Sequence, residues 1–295
     1  MLFLWVCALK LELKIKQRYK GLIIMNWDDA YANAPYIKHA ETYPHLWSQA
    51  AKAFRASCKP NTRAQLDIDY GTDERHKVDI FWPHGQPLGL IFFVHGGFWR
   101  AFDKNSWSHL AAALVSAGWA VAMPSYRLSP SVSLEKIGDD VVAALNHVAS
   151  IVKGPIVLAG HSAGGQLVTM MMTNAQKLPD FICQRIVRVI SISGLHDLTP
   201  LIKTAMNQDF GLDQKTAQLL SPALQKPVIH APLTCWVGGD ERPEFIRQNQ
   251  LIADAWKEYG ISVEVVLEPN KHHFDVIDGL TSNIHPLFSA ISGAN

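Results

Sequence analysis

A serine, two adjacent carboxylates and two adjacent histidines stand in the sequence where acyl-transfer chemistry would need them. Ser162 is the centre of Gly160-His161-Ser162-Ala163-Gly164, between a short apolar run and a helical stripe, which is the setting of a strand-to-helix nucleophile elbow. Small neighbours tolerate so tight a turn, and the free N–H groups of the helix start can meet a developing negative charge. A serine hydroxyl is a weak nucleophile near neutral pH, so it needs a base within hydrogen-bond reach and a carboxylate that orients the base. Around such an elbow the chain order is serine, acid, histidine. Asp240 follows the apolar run 233–237 through Gly238-Gly239 and is the expected acid, with Glu241 the competing carboxylate. His273 directly precedes Phe274, whose ring can anchor the loop, and is the expected base, with His272 competing for the role.

The oxyanion formed on attack must meet donors already in place, a contribution of ~3 kcal/mol for one donor. His95-Gly96-Gly97-Phe98-Trp99 leaves another apolar run, so the expected donors are the backbone N–H groups of Gly96, Gly97 and Ala163. Phe98 and Trp99 are the expected substrate-binding side chains, although both residue types also serve as packing. His95 is expected to brace its loop, Tyr126 to pack beneath it and Asp197 to be structural. The other histidines show no metal-ligand arrangement, so no metal and no cofactor is expected.

These groups need a scaffold that holds them at one edge. From Ala64 onward short apolar runs alternate with helical stripes, the pattern of a mostly parallel sheet with helices on both faces. Residues 66–70 and 78–82 alternate with period two and predict an antiparallel pair at one edge. Residues 90–94 form a continuous apolar run, as a strand buried on both faces should. Further strands are expected at 120–123, 156–159, within 185–193, at 233–237 and at 261–267, and helices at 105–117, 134–150, 164–175 and 243–259, with a last one after 269–273. On the 134–150 helix, Ile137, Val141, Leu145 and Val148 form the inward stripe, while Asp139, Asp140 and Asn146 are expected to face outward. The interval after Gly194 carries Pro200, Pro222, Pro227 and Pro232 and reads as a cap excursion over the active face. Residues 27–57, interrupted by Pro35 and Pro44, are expected to form helical pieces near the mouth of the site.

The bulk numbers set limits on partners. A chain of 295 residues, 48% hydrophobic and 18% charged, can bury one α/β core. Lysine plus arginine (27) nearly balance aspartate plus glutamate (26), which leaves no basic field for nucleic acid or an anionic membrane. Four scattered cysteines lack the spacing of a disulfide framework or redox pair and suggest a cytoplasmic setting. Residues 1–25 hold a short apolar run followed by basic residues. The order is wrong for a secretory signal and the run too short to span a bilayer. The preferred reading is an N-terminal extension outside a single domain at 26–295, without stable membrane association. Homodimer formation is left open.

With elbow, acid, histidine and oxyanion loop assembled, the sequence resembles the α/β-hydrolase branch of hormone-sensitive-lipase-like esterases, and more closely the kynurenine formamidase (arylformamidase) family. The resemblance is carried by His95-Gly96-Gly97-Phe98-Trp99, Gly160-His161-Ser162-Ala163-Gly164-Gly165, Tyr126-Arg127-Leu128-Ser129-Pro130, the segments Ser193–Leu198 and Leu220-Ser221-Pro222, and His273-Phe274. It runs from about Trp27 to the end. It implies an α/β-hydrolase fold with a small cap, a Ser162-His273-Asp240 triad, and a small-molecule formamide or ester substrate, N-formylkynurenine being the type. Carboxylesterases share much of the same pattern, so short-chain acyl esters are the alternative.

Overall fold

The apolar runs form eight strands, β1 (Ala64–Asp69), β2 (Lys77–Phe81), β3 (Leu90–Val94), β4 (Ala120–Pro124), β5 (Ile156–His161), β6 (Ile186–Ile192), β7 (Leu233–Gly238) and β8 (Val263–Glu268). The computed structural model describes residues 25–58, 63–173 and 178–293; apart from Met25, the expected extension lies outside the described residues. The strands make one sheet in the order β1-β2-β4-β3-β5-β6-β7-β8. β2 is antiparallel to both β1 and β4, and the remaining pairs are parallel. A parallel strand covered on both faces has no polar side to show, and all five residues of β3 are buried.

Alternation along β3 divides the interior in two. Leu90, Phe92 and Val94 join one apolar cluster, and Ile91 and Phe93 join the other, as the pleat requires. The helices that cover these faces are α1 (Tyr43–Cys58), α2 (Leu134–Ile151), α3 (Ala163–Thr173), α4 (Pro243–Lys257) and α5 (Pro286–Ser292). Helices α2, α3 and α4 bury their stripes in the first cluster, whereas α1 and α5 contribute Trp47, Leu287 and Phe288 to the second. Among the described residues, no helix is long and apolar enough to cross a membrane.

Two expectations about helices fail for the same physical reason. Residues 105–117 do not form one helix; 3-10 turns at Lys104–Ser106 and Ser108–Ala111 lead into a short helix at Ala112–Ser116. The start of this stretch is pinned by side chains: buried Lys104 reaches Asp67 at 2.5 Å and Asp79 at 2.8 Å. Asp140 faces inward rather than outward. It accepts the Arg127 guanidinium at 2.7 and 2.9 Å and stands 3.1 Å from His76 Nε2. A carboxylate tolerates burial when such partners are at hand, and these come from the turn before β2 and the loop after β4, where helical periodicity cannot register them.

Candidate active site

Ser162 is the single residue between the end of β5 and the start of α3, and its φ is +55°. The turn is sharp because α3 packs directly on the end of β3; a Cβ on Gly164 would stand 2.0 Å from the Val94 carbonyl oxygen. The loop after β3 is equally close. A Cβ on Gly96 would stand 2.9 Å from the Ser162 Cβ. The backbone N–H groups of Gly96, Gly97 and Ala163 thus belong to one packed corner, and none has a backbone acceptor among the described residues.

The loop keeps its shape by backbone conformation and by what lies beneath it. Gly97, Phe98 and Trp99 all have positive φ, +109°, +50° and +56°. The Tyr126 hydroxyl donates to the His95 carbonyl oxygen at 2.9 Å, and the two rings stack with centroids 4.4 Å apart. Burial lowers the His95 pKa to about 4, so at neutral pH it braces the loop as an uncharged ring.

His273 is buried and its Nδ1 lies 2.6 Å from Glu241 Oε2. The other Glu241 oxygen accepts from the Gly238 N–H at 2.9 Å and from the Ser193 hydroxyl. Asp240, the acid expected from the sequence, makes no such contact: it is exposed, and its backbone N–H donates to the Lys271 carbonyl. The reason is the turn after β7, closed by the Glu241 N–H on the Gly238 carbonyl at 3.3 Å. It directs Asp240 to solvent and brings the longer glutamate back to the sheet edge. The second histidine is also separated by geometry. His272 is half-buried, with Nε2 3.1 Å from the Tyr43 hydroxyl and Nδ1 3.0 Å from Asp275.

His161, inside the elbow, is a group that the sequence reading passed over. Its Nε2 lies 3.0 Å from the His273 carbonyl oxygen. Burial, reinforced by the neighbouring His273, holds its pKa well below the ordinary histidine range. The neutral ring therefore donates this hydrogen bond and ties the His273 loop to the elbow. Its position next to the serine was the available signal.

Ser162 and His273 open onto a cavity of about 410 Å³. Its walls are mostly apolar, with Phe98, Phe102, Trp107 and Phe274 among them, and residues 28–35 closing one side. Phe98 thus borders the cavity. Trp99 does not; it is fully buried in the first core cluster and donates Nε1–H to Gln166 Oε1 at 3.2 Å. A loop that turns through successive positive-φ residues sends neighbouring side chains in different directions, which the sequence alone does not reveal. Asp197 accepts hydrogen bonds from Thr199 and lies outside the cavity lining.

Residues 91–275 match the family model for the alpha/beta hydrolase fold. The chain is 25% identical over 242 residues to kynurenine formamidase of Danio rerio, spanning 78% of this chain and 82% of that protein. A crystal structure from Silicibacter sp. TM1040, described provisionally as a thioesterase, is 46% identical with a TM-score of 0.87, covering 91% of this chain and 99% of that one. Esterase B of Lactobacillus rhamnosis shares the fold at 20% identity and a TM-score of 0.63, over 86% of this chain and 95% of its own. The chain belongs to the alpha/beta hydrolase fold family and is an enzyme, a hydrolase.

Proposed function

We propose that the protein hydrolyses a small acyl group from an aromatic leaving group by serine acyl transfer, with an N-formyl arylamine of the N-formylkynurenine kind as the substrate type. The observation that carries this reading is the Glu241–His273 contact at 2.6 Å beside an elbow serine that opens onto the same cavity. In this mechanism His273 takes the proton of Ser162 as the hydroxyl attacks the carbonyl carbon, and Glu241 fixes the imidazole tautomer and stabilises the imidazolium. The N–H groups of Gly96, Gly97 and Ala163 receive the oxyanion. Collapse of the tetrahedral species returns the proton to the departing amine, and water, deprotonated by the same histidine, releases formate from the acyl-enzyme.

The aromatic walls suit an aryl leaving group, and kynurenine formamidases of Danio rerio, Salmo salar and Drosophila melanogaster are related to this chain at 25–26% identity. A second reading, an esterase or thioesterase on short acyl groups, is favoured by a different observation. Among the described residues, no lysine or arginine lines the cavity, so none of them offers an ion pair to the carboxylate of an amino-acid substrate. Catalytic efficiency on N-formylkynurenine, on p-nitrophenyl acetate and butyrate, and on a short acyl thioester decides between them. The formamidase reading predicts the highest kcat/KM on the formamide. Formamide turnover at background beside efficient ester or thioester cleavage rules it out and leaves the Ser162 mechanism standing.

A further inference from the structure

The segment that closes the cavity carries a polar group that the reaction does not use. Asn33 lies between the short helix Trp27–Ala30 and the 3-10 turn Ala34–Tyr36, and it lines the cavity with Ser162 and His273. It is 6% exposed, and its buried Nδ2 has no acceptor among the described residues. It occupies the position preceding the turn, where an asparagine side chain normally caps. Here the side chain makes no capping bond; the main chain alone closes the turn, through the Asn33 carbonyl and the Tyr36 N–H at 3.0 Å.

An amide buried without a partner destabilises a fold, and native proteins rarely keep one without a reason. The same segment shows that it can satisfy its buried polar groups. Two residues away, the Tyr31 hydroxyl donates to Glu244 at 2.9 Å and accepts from Gln248 at 3.1 Å. Both residues line the cavity, and of the two it is the Asn33 amide that keeps a donor unmet.

We propose that Asn33 is a specificity-determining residue whose Nδ2 donates a hydrogen bond to an oxygen on the non-reacting part of the substrate. The substrate class is then an acyl ester or formamide whose leaving group has an apolar aromatic body, matching Phe98, Phe102 and Trp107, and carries a carbonyl-type acceptor. This inference rests on Ser162 acting in acyl transfer.

The test compares ortho-, meta- and para-acetylphenyl acetates with the corresponding isopropenylphenyl acetates, in which a methylene replaces the ketone oxygen. Values of kcat/KM are measured for the wild type, Asn33→Leu and Asn33→Asp. Comparing the ketone-to-alkene ratio between proteins cancels the intrinsic reactivity of each ester, as in a mutant cycle. In at least one isomer pair, Asn33→Leu is expected to lower that ratio about tenfold, the scale of one hydrogen bond. Asn33→Asp, which replaces the donor by an acceptor, lowers it at least as far. The Tm of Asn33→Leu stays level or rises, because an unpaired buried amide is gone. A ratio unchanged in both variants overturns the proposal, as does a fall of Tm with equal losses on every ester. Labelling by a fluorophosphonate separates the two levels. Labelled Ser162 with an unchanged ratio removes Asn33 alone, whereas a folded wild type that does not label removes the acyl-transfer reading beneath it.

Discussion

The carboxyl edge of the sheet and the N-terminal segment both wall the cavity, yet they are held in place differently. At the sheet edge, position follows from the backbone. Ser162 is clamped between β5 and α3, the Gly164 backbone touches the end of β3, and Glu241 is gripped by the Gly238 N–H while it holds His273. Residues 27–36 instead depend on side chains reaching across the molecule: Tyr31 to Glu244, Asp28 to the Ala205 N–H and Asp29 to Arg242. The ladder cannot shift by fractions of a residue, whereas side-chain tethers can be exchanged singly. If the sheet edge reacts and residues 27–36 select the substrate, as proposed, a change in either region should leave a different kinetic signature.

The largest effect belongs to the sheet edge. Ser162→Ala should lower kcat by about 10⁵-fold or more, the scale seen when a serine nucleophile is removed, while the far-UV CD spectrum and Tm stay close to wild type. Turnover above a small fraction of wild type, measured on protein free of contaminating hydrolase, would remove Ser162 from the mechanism.

The adjacent carboxylates come next and sharpen the comparison within a single turn. Glu241→Gln keeps the shape but loses the charge beside His273, so under the proposed mechanism kcat should fall about 10²–10⁴-fold. Asp240→Asn, at an exposed site, should change kcat/KM by less than about twofold. If the Asp240 variant proves the inactive one, the turn geometry does not describe the working enzyme.

These neighbours also show how far the sequence could be read. The elbow was legible because only a strand, a serine with small neighbours and a helix fit its pattern, and the strands were legible because parallel strands bury both faces. The acid was not. Asp240 and Glu241 stand side by side, and the choice depends on a turn bond between the Glu241 N–H and the Gly238 carbonyl, which leaves no trace in composition or period. Phe98 and Trp99 present the same difficulty, since successive positive-φ residues defeat both helical and strand periodicity. Asp140 and Lys104 were hidden for another reason: their partners Arg127, His76, Asp67 and Asp79 lie elsewhere in the chain.

Phe98 and Trp99 give the next prediction. Phe98 borders the cavity, so Phe98→Ala should raise KM several-fold for aromatic substrates with little loss of Tm. Trp99→Phe breaks the bond to Gln166 inside the core and should lower stability by about 1 kcal/mol, read as a shift in the urea midpoint, with KM nearly unchanged. Exchange of these two signatures would mean that the loop turns differently around the site.

The smallest effect is expected at the rim. Asp28 is the one acidic side chain among the described residues lining the cavity, and it is exposed. One of its oxygens accepts from the Ala205 N–H at 2.7 Å, an interaction that an amide oxygen can also make, so Asp28→Asn preserves the tether while removing the charge. A carboxylate at the mouth should repel an anionic substrate and attract a cationic one, but water and salt screen exposed charges strongly. The wild type should therefore prefer a phenyl acetate with an ammonium substituent over its carboxylate counterpart more than the Asp28→Asn variant does, by about two- to fivefold at low ionic strength. The difference should shrink as salt rises toward about 0.5 M. A charge preference that is the same in both proteins, or indifferent to salt, would place the electrostatic selection elsewhere and leave residues 27–36 as a wall of shape alone.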